Sequence, residues 1–177
     1  MHGSQPRSSQ DGQYTATAAR FAGAIERLAR GYEADPELRR DLVQEIHAQL
    51  WRSFAYFEQQ CSERSWVYRV AHNTAVSHMI ARRRLKAEAL AGLEEIAQIA
   101  GEEDPESSAA EADVTARLLA TIHRLKPADR QVMLLYLEDL TAAEIGEVTG
   151  LSAGAVATRI HRTKALLADR FRLEDPL

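Results

Sequence analysis

The segment from Leu140 to Leu167 constrains the fold most strongly, because its pattern predicts two short helices joined by a tight turn. Thr141 and Glu144 have the spacing of a capping box, in which each side chain bonds the backbone N–H of the other residue. Gly150 suits the left-handed conformation that ends a helix, and Ser152 is a natural cap for the next helix. The segment therefore predicts a helix-turn-helix.

The second helix of this pair has two distinct faces. Val156, Ile160, Thr163 and Leu167 recur at helical spacing and predict the buried side. A short hydroxyl side chain with arginines one turn apart suits base edges and phosphates in a DNA major groove. A solvated basic face on an ordinary helical hairpin would have the same pattern, and both interpretations stay open at this point. The side predicted to face outward carries Ala155, Thr158, Arg159 and Arg162.

The acidic residues of the chain are concentrated in one stretch. The formal net charge is −4, but nine of the 26 acidic residues lie between positions 87 and 113, where there is no Lys or Arg. Basic residues outnumber acidic ones in the remainder. Because phosphate binding depends on local positive charge rather than on the total, the acidic sum does not exclude nucleic acid. We predict an acidic linker, residues 87–113, between two mildly basic bodies.

Several classes of protein are disfavoured by what the sequence lacks. It has no apolar run long enough to span a membrane and no signal-peptide core, so we expect a cytoplasmic protein. The single cysteine, Cys61, excludes an internal disulfide. We find no metal-binding, nucleotide-binding or catalytic pattern, and we therefore expect no enzymatic activity, no metal and no cofactor.

The N-terminal half predicts a short tail and a three-helix domain. Residues 1–13 are polar and are expected to be disordered, and residues 14–86 form the domain. Its helices are predicted at about 15–31, from Asp35-Pro36 to about Phe57, and from about Ser65 to 86. The predicted buried stripes are Phe21, Ile25, Leu28 and Tyr32; Leu38, Leu42, Ile46, Leu50 and Phe54; and Val67, Val70, Ala71 and Thr74.

The third of these helices carries Trp66, Arg69 and Asn73 on one side and ends in the basic run 82–84. Aromatic rings interleaved with cations and an amide suit unpaired bases, which stack on rings while the backbone meets the cations. Core aromatics and a solvated basic helix end would give the same pattern, since cations favour a helix C-terminus. Both interpretations stay open on these residues alone.

The C-terminal half, residues 114–172, predicts a four-helix domain. A helix at 114–125 and another opened by Pro127 precede the helix-turn-helix. The expected fold is therefore all-α, with two small helical domains joined by a flexible acidic linker and a helix-turn-helix in the second domain. The core of the two supporting helices is predicted to contain Leu118, Leu119, Ile122, Leu125, Val132, Met133, Leu135, Tyr136 and Leu137.

Three segments, in this order, resemble the extracytoplasmic-function group of bacterial sigma factors, the promoter-specificity subunits of RNA polymerase. Asp41–Trp51 resembles the polymerase-binding helix of that family, Ser65–Arg84 its promoter-melting helix, and Leu125–Leu167 its C-terminal DNA-reading domain. The resemblance covers nearly everything from Phe21 to Phe171. It implies a protein without catalysis of its own, which binds core RNA polymerase, recognises and melts the −10 promoter element and reads the −35 element.

The resemblance also implies roles for individual residues. The loop 57–65 and Asn73 would capture an unstacked base, and the acidic linker would thread toward the RNA exit and active-site channels of the polymerase. The implied partners are core RNA polymerase, single- and double-stranded promoter DNA and an anti-sigma factor, with no membrane insertion. The implied polymerase-binding residues are Asp41, Gln44, Glu45 and Trp51; the −10 residues are Phe57, Arg64, Trp66, Arg69, Asn73, Arg82, Arg83 and Arg84; and the −35 residues are Ala155, Thr158, Arg159, Arg162 and Lys164.

Some positions depart from the family pattern, and a second class of protein stays open. Arg39 and Arg40 stand where acids are common, His72 where arginine is common, Ser77 where aspartate is common and Ala155 where threonine is frequent. The alternative is a one-component helix-turn-helix regulator whose N-terminal helices dimerise or sense a ligand. Such a regulator would form a two-fold dimer on palindromic DNA.

Overall fold

The computed structural model describes residues 7–91 and 110–174, and all regular structure within these ranges is helical. This confirms the predicted all-α class. The order is α1 (Arg7–Tyr32), α2 (Pro36–Ser53), a short 3₁₀ helix (Phe54–Tyr56), α3 (Glu63–Ala91), α4 (Ala110–His123), α5 (Pro127–Leu137), α6 (Ala142–Thr149) and α7 (Ala153–Glu174).

Helices α1 to α3 form the N-terminal bundle, in which α2 packs against both neighbours. Asp35 caps α2, because its Oδ1 accepts hydrogen bonds from the N–H groups of Glu37 at 2.8 Å and Leu38 at 3.0 Å. The residues of the predicted stripes form the core, and their burial is confirmed at the central positions of each stripe. The buried residues of this core include Ile25, Leu28, Leu42, Ile46, Leu50, Phe54, Val67 and Ala71.

The prediction of a disordered tail is wrong for residues 7–13, which form the first turns of α1. The Gln10 side chain donates to the carbonyl oxygen of Trp51 at 2.7 Å, and Trp51 Nε1 donates to Asp11 Oδ1 at 2.8 Å. Packing against α2 therefore orders a polar segment that composition alone marks as unstructured.

Other helix ends also differ from the sequence prediction. Helix α2 ends at Ser53 rather than near Phe57, because the chain tightens into the 3₁₀ turn. Helix α3 continues to Ala91 and α4 begins at Ala110, so both ends of the predicted linker 87–113 are helical. Its central part, residues 92–109, lies outside the described residues.

The helix-turn-helix is confirmed in its local details. Thr141 N–H donates to Glu144 Oε2 at 2.8 Å and Glu144 N–H donates to Thr141 Oγ1 at 3.3 Å, which completes the capping box. Gly150 has φ of 78° at the end of α6, and Ser152 Oγ accepts from the N–H of Ala155 at 3.2 Å. The core of this domain includes Ile122, Val132, Met133, Leu135, Ile145 and Val156.

Helix α5 is buried on two sides, which the sequence pattern did not predict. Leu137, expected in the core, is 46% exposed, whereas Leu134 is only 6% exposed. Leu134 packs on α1 at Gly31, where a Cβ atom would overlap its side chain. A one-sided stripe cannot account for a helix that serves its own core and a neighbouring domain at once.

His72 is a buried partner of Tyr32 at the centre of the N-terminal bundle. The Tyr32 hydroxyl lies 2.7 Å from His72 Nδ1, and the two rings meet edge to face with centroids 5.4 Å apart. His72 is fully enclosed, and burial lowers its pKa to about 3. The imidazole is therefore neutral at physiological pH and fills the core where family members commonly carry an arginine.

Gly146 should be intolerant of a side chain. A Cβ atom there would lie 2.6 Å from the carbonyl oxygen of Leu151, and a backbone atom cannot rotate away. We expect Gly146→Ala to lower the free energy of unfolding by about 1–3 kcal/mol in urea titrations. Gly154→Ala is the matched control, because a Cβ there meets nothing within 4 Å and alanine is the better helix former. Equal stabilities of the two variants would contradict the close crossing.

His72 should make stability depend on pH. In the unfolded state His72 binds a proton near pH 6.5, whereas in the folded state it binds one only near pH 3. The free energy of unfolding therefore falls as the pH drops from about 6.5 to about 3. We expect a contribution of up to ~1.4 kcal/mol per pH unit to that fall, absent in His72→Phe. Tyr32→Phe retains the buried imidazole and should keep the slope. Identical pH profiles of wild type and His72→Phe would show that the folded state protonates His72 as readily as the unfolded state does.

Candidate nucleic-acid interface

Helix α2 presents a polar face to solvent on the side away from the core. Asp41, Gln44 and Glu45 are exposed, as the sequence predicted, and Glu45 Oε2 lies 3.1 Å from His78 Nδ1 on α3. Trp51 lies farther along α2 and is half-buried beneath the first turns of α1. The structure therefore brings the first three residues together on an open surface and covers part of the fourth.

The two aromatic residues predicted to meet an unpaired base pack on each other. The Phe57 ring lies 5.2 Å from the Trp66 ring and meets Phe54 edge to face at 5.8 Å. Trp66 Nε1 donates to Ser53 Oγ at 3.0 Å, so both rings anchor the loop between α2 and α3. Each is half-buried and keeps part of its surface open to a ligand.

A groove of about 870 Å³ lies between this loop and α1. Glu63 accepts hydrogen bonds from Thr17 and Arg20 of α1, which fixes the end of the loop that enters α3. Gln59 has φ of 56°, a left-handed conformation that bends the loop. The residues that line the groove include Gln13, Thr17, Arg20, Phe57, Gln59, Cys61 and Glu63.

The basic end of α3 is only partly engaged by the rest of the protein. Arg82 forms an ion pair with Glu33, whose side chain is 9% exposed, and Arg84 pairs with Glu88 at 3.1 Å on the surface. Asn73 and Arg83 are exposed. An exposed ion pair has little net strength, so a phosphate can compete with Glu88.

The Arg64–Arg69 face of α3 is covered by the helix-turn-helix domain. Arg69 Nη2 donates to the carbonyl oxygen of Glu147 at 2.6 Å, and Ser65 Oγ donates to Glu147 Oε2 at 2.8 Å. Arg64 donates to the carbonyl oxygen of Glu138 and lies 3.8 Å from Glu144. Two cations predicted to bind promoter DNA are thus engaged by main-chain carbonyls of the same chain, and Arg64 also by the carboxylate of Glu144.

Glu138 is the centre of this contact between the domains. Arg27 Nε and Nη2 each donate to one of its carboxylate oxygens at 2.7 Å, and the Tyr68 hydroxyl donates to Oε2 at 3.0 Å. The hydrogen bonds that Arg27 donates to the Glu138 carboxylate raise the pKa of Arg27. Sequence reasoning missed Glu138, because its partner Arg27 is 111 positions away and no local pattern marks the pair.

Arg130 extends the contact between the domains from α5 to α3. It is 5% exposed and donates to the carbonyl oxygens of Ile122 and His123 at the end of α4. Its Nη1 lies 3.5 Å from Met79 Sδ on α3, and burial lowers its pKa. His123 Nε2 in turn lies 3.0 Å from the carbonyl oxygen of Arg30. The Arg130 side chain thus provides donors for the main-chain carbonyls at the C-terminal end of α4, which have no partner within the helix.

The outward side of α7 matches the prediction in part. Thr158 and Arg162 are exposed, Arg159 is partly exposed, and Ala155 is half-buried at the edge. Arg159 Nη1 donates to Asp129 Oδ1 at 2.7 Å, and Arg162 Nη2 donates to both carboxylate oxygens of Asp129 at 2.9 and 3.1 Å. Asp129 was not singled out by sequence reasoning.

Lys164 does not share this side of α7. Nine residues after Ala155, at 100° per residue, it lies on the opposite side of the helix. Its Nζ lies 5.2 Å from the centre of the Tyr136 ring and 3.3 Å from the hydroxyl. His161 is exposed one turn after Thr158.

Family models match both helical units. "Sigma-70 region 2" matches residues 18–85 and "Sigma-70, region 4" matches residues 115–167. The first match lies within the α1–α3 bundle and the second within the helix-turn-helix domain. Together they define the class of protein: a two-domain sigma factor of the sigma-70 type.

The similarity to one curated relative indicates the group of sigma factors within this class. The chain is 30% identical over 150 residues to the ECF RNA polymerase sigma factor SigE of Mycolicibacterium smegmatis, an alignment that covers 84% of this chain and 57% of SigE. The chain thus spans little more than half the length of that relative. It belongs to the extracytoplasmic-function group of the sigma-70 family of RNA polymerase sigma factors. This membership does not favour the alternative of a one-component regulator.

Solved structures share the fold. CnrH, in complex with the cytosolic domain of CnrY, aligns with a TM-score of 0.70 and 20% identity over 96% of this chain and 94% of CnrH. The sigma factor RpoE of Bartonella quintana, in complex with the anti-sigma factor NepR, aligns with a TM-score of 0.68 and 16% identity over 92% of this chain and 99% of RpoE. Among the described residues, no helix is both long and apolar enough to cross a membrane.

Proposed function

We propose that this chain recruits core RNA polymerase to a set of promoters and opens them, acting in the cytoplasm by binding rather than by catalysis. Helix α2 would dock on the polymerase, α3 and its preceding loop would hold the unpaired −10 element, and α7 would read the −35 duplex. The observation that carries the proposal is the presence of an exposed acidic face on α2 and two separate surfaces suited to DNA, within the two matched sigma regions.

For polymerase docking, we assign the exposed face of α2 to a basic partner surface. Asp41 and Glu45 lie one turn apart with Gln44 beside Glu45, a spacing at which the three side chains meet one partner together. Trp51 would contribute through the part of its ring that α1 leaves exposed. Arg40 pairs with Glu37 at 3.3 Å on the surface, so it does not cancel the charge of Asp41 directly.

For the −10 element, we assign the groove beside the Phe57 loop and the exposed amide of Asn73 to an unpaired base. Flipping a base costs a few kcal/mol, which stacking and hydrogen bonds at the pocket must offset. Arg82, Arg83 and Arg84 would hold the phosphates that follow. For the −35 element, we assign Thr158, Arg159, Arg162 and Ala155, which line one side of α7, and place Lys164 outside this surface.

Promoter binding through Arg64 and Arg69 requires the two domains to separate. We call the arrangement in which α6 packs on α3 the closed arrangement. In it Arg64 and Arg69 donate to the main-chain carbonyls of Glu138 and Glu147, and Arg64 lies near the Glu144 carboxylate. Helix α6 covers the face of α3 that DNA would occupy. A protein that stabilises the closed arrangement would inhibit the chain. Because RpoE of Bartonella quintana is bound by the anti-sigma factor NepR, we propose an inhibitor of that class for this chain.

The docking assignment predicts the effect of a double substitution. Asp41→Ala/Glu45→Ala should reduce retention of core RNA polymerase on the immobilised chain at least tenfold, since both charges face the partner. Glu26→Ala/Asp139→Asn removes two acidic charges from other exposed positions and should bind like wild type. Loss of binding in both variants would show a dependence on total charge rather than on this face.

The closed arrangement predicts that a covalent tether will block transcription. Arg27→Cys/Glu138→Cys in a Cys61→Ser background places two thiols where the native side chains lie 2.7 Å apart, outside both proposed DNA surfaces. After reaction with a short, cleavable bismaleimide, the chain with core polymerase should give no transcript from a promoter selected with the wild-type complex. Cleavage of the linker should restore transcription, and each single-cysteine variant should stay active throughout. Transcription by the tethered chain would show that the domains need not separate.

A further inference from the structure

One carboxylate holds two arginines from successive turns of the DNA-reading helix. Asp129 is the third residue of α5, and its side chain is 10% exposed. Arg159 reaches Oδ1 at 2.7 Å, and Arg162 reaches Oδ1 and Oδ2 at 2.9 and 3.1 Å. The carboxylate is fixed by the helix to which it belongs, so both guanidinium groups approach it from α7.

Both arginines keep donors for another ligand. A guanidinium has five N–H donors, of which Arg159 uses one on Asp129 and Arg162 uses those of a single nitrogen. The Arg162 side chain is 60% exposed and that of Arg159 is 32% exposed. Asp129 therefore fixes the direction of the two groups without closing them off.

The surroundings remain strongly positive in spite of this acid. A cleft of about 300 Å³ beside Asp129 is lined by Arg124, Lys126, Arg162 and Arg170, and Asp129 is the acidic residue among its lining residues in the described part of the chain. One carboxylate cannot neutralise four cationic side chains, so charge neutralisation does not explain Asp129. A role in geometry accounts for it better, because long cationic side chains lose rotamer entropy when they bind and lose less if they are already fixed.

We propose that Asp129 is a positioning residue for promoter reading, which aims Arg159 and Arg162 at the base edges and phosphates of the −35 duplex. The proposal rests on the proposed role of α7 in DNA reading. Arginine recognises guanine and phosphate through a planar fork, so its direction decides which base it accepts. Asp129 then acts on sequence preference through the two arginines, without touching DNA.

The test is selection of bound promoters from a pool with a randomised −35 region, using the complex of the full chain with core polymerase. The wild-type chain should enrich a defined motif. Asp129→Asn should lower the enrichment at one or two base pairs of that motif by about tenfold, because the guanidinium groups lose the charge that directs them. The remaining positions and the −10 preference should stay as in wild type.

Asp139→Asn is the matched control, since it removes the same charge from an exposed site of the same domain. Asp139 has φ of 57°, a left-handed conformation that asparagine tolerates well. This variant should enrich the wild-type motif. Asp129→Glu retains the charge but moves it outward by one methylene, and it should shift the preference at the same base pairs that Asp129→Asn weakens.

The outcomes separate this proposal from the proposed function. If the wild-type complex enriches no −35 motif, α7 does not read the upstream element and the proposed function fails at that point. If wild type enriches a motif and Asp129→Asn enriches it equally, Asp129 is an ordinary ion-pair partner. A uniform change of affinity for all sequences in Asp129→Asn, with unchanged preferences, would overturn the proposal in the same way.

Discussion

The closed arrangement of the two domains depends on the hydrogen bonds that the carboxylate of Glu138 accepts. This carboxylate receives Arg27 from α1 and Tyr68 from α3 while lying in the turn that leads into the helix-turn-helix. The side chain is 11% exposed, so these bonds are only partly screened by solvent. Around it the contact is completed by polar bonds to Glu147 and by Leu134 on Gly31, which gives the interface a charged centre and a small apolar flank.

Both candidate DNA surfaces are engaged by other parts of the chain. On α3, Arg64 and Arg69 donate to the main-chain carbonyls of Glu138 and Glu147, and Arg64 also lies near the Glu144 carboxylate. On α7, the arginines meet the carboxylate of Asp129. The two cases differ in geometry. The contact on α3 comes from another domain and covers the helix, so DNA and α6 compete for it. The Asp129 contact comes from the same domain and leaves α7 exposed, so DNA can bind while it persists.

What could be predicted from the sequence was local. The capping box at Thr141 and the αL glycine Gly150 depend on residues a few positions apart, and the structure confirms both. The buried stripes of α1 and α2 follow from helical periodicity. Glu138 and Asp129 could not be found in this way, since each contacts arginines that are far away in sequence. The helical structure of residues 7–13 likewise depends on contacts with Trp51. The burial of Leu134 depends on its contact with α1 of the N-terminal domain.

The position of the docking face suggests an order of events. In the closed arrangement, the C-terminal helices pack on α1 and α3, while Asp41, Gln44 and Glu45 on α2 stay exposed. If α2 is the docking face, as proposed, polymerase would reach it before the domains separate, whereas DNA would reach the covered face of α3 only afterwards. Docking on α2 alone would not separate the domains, because the same face is exposed before and after they separate, and equal affinity for both arrangements shifts no equilibrium. Polymerase would promote promoter recognition only through further contacts that it makes with the separated domains, since coupling between two sites requires a ligand that prefers one arrangement.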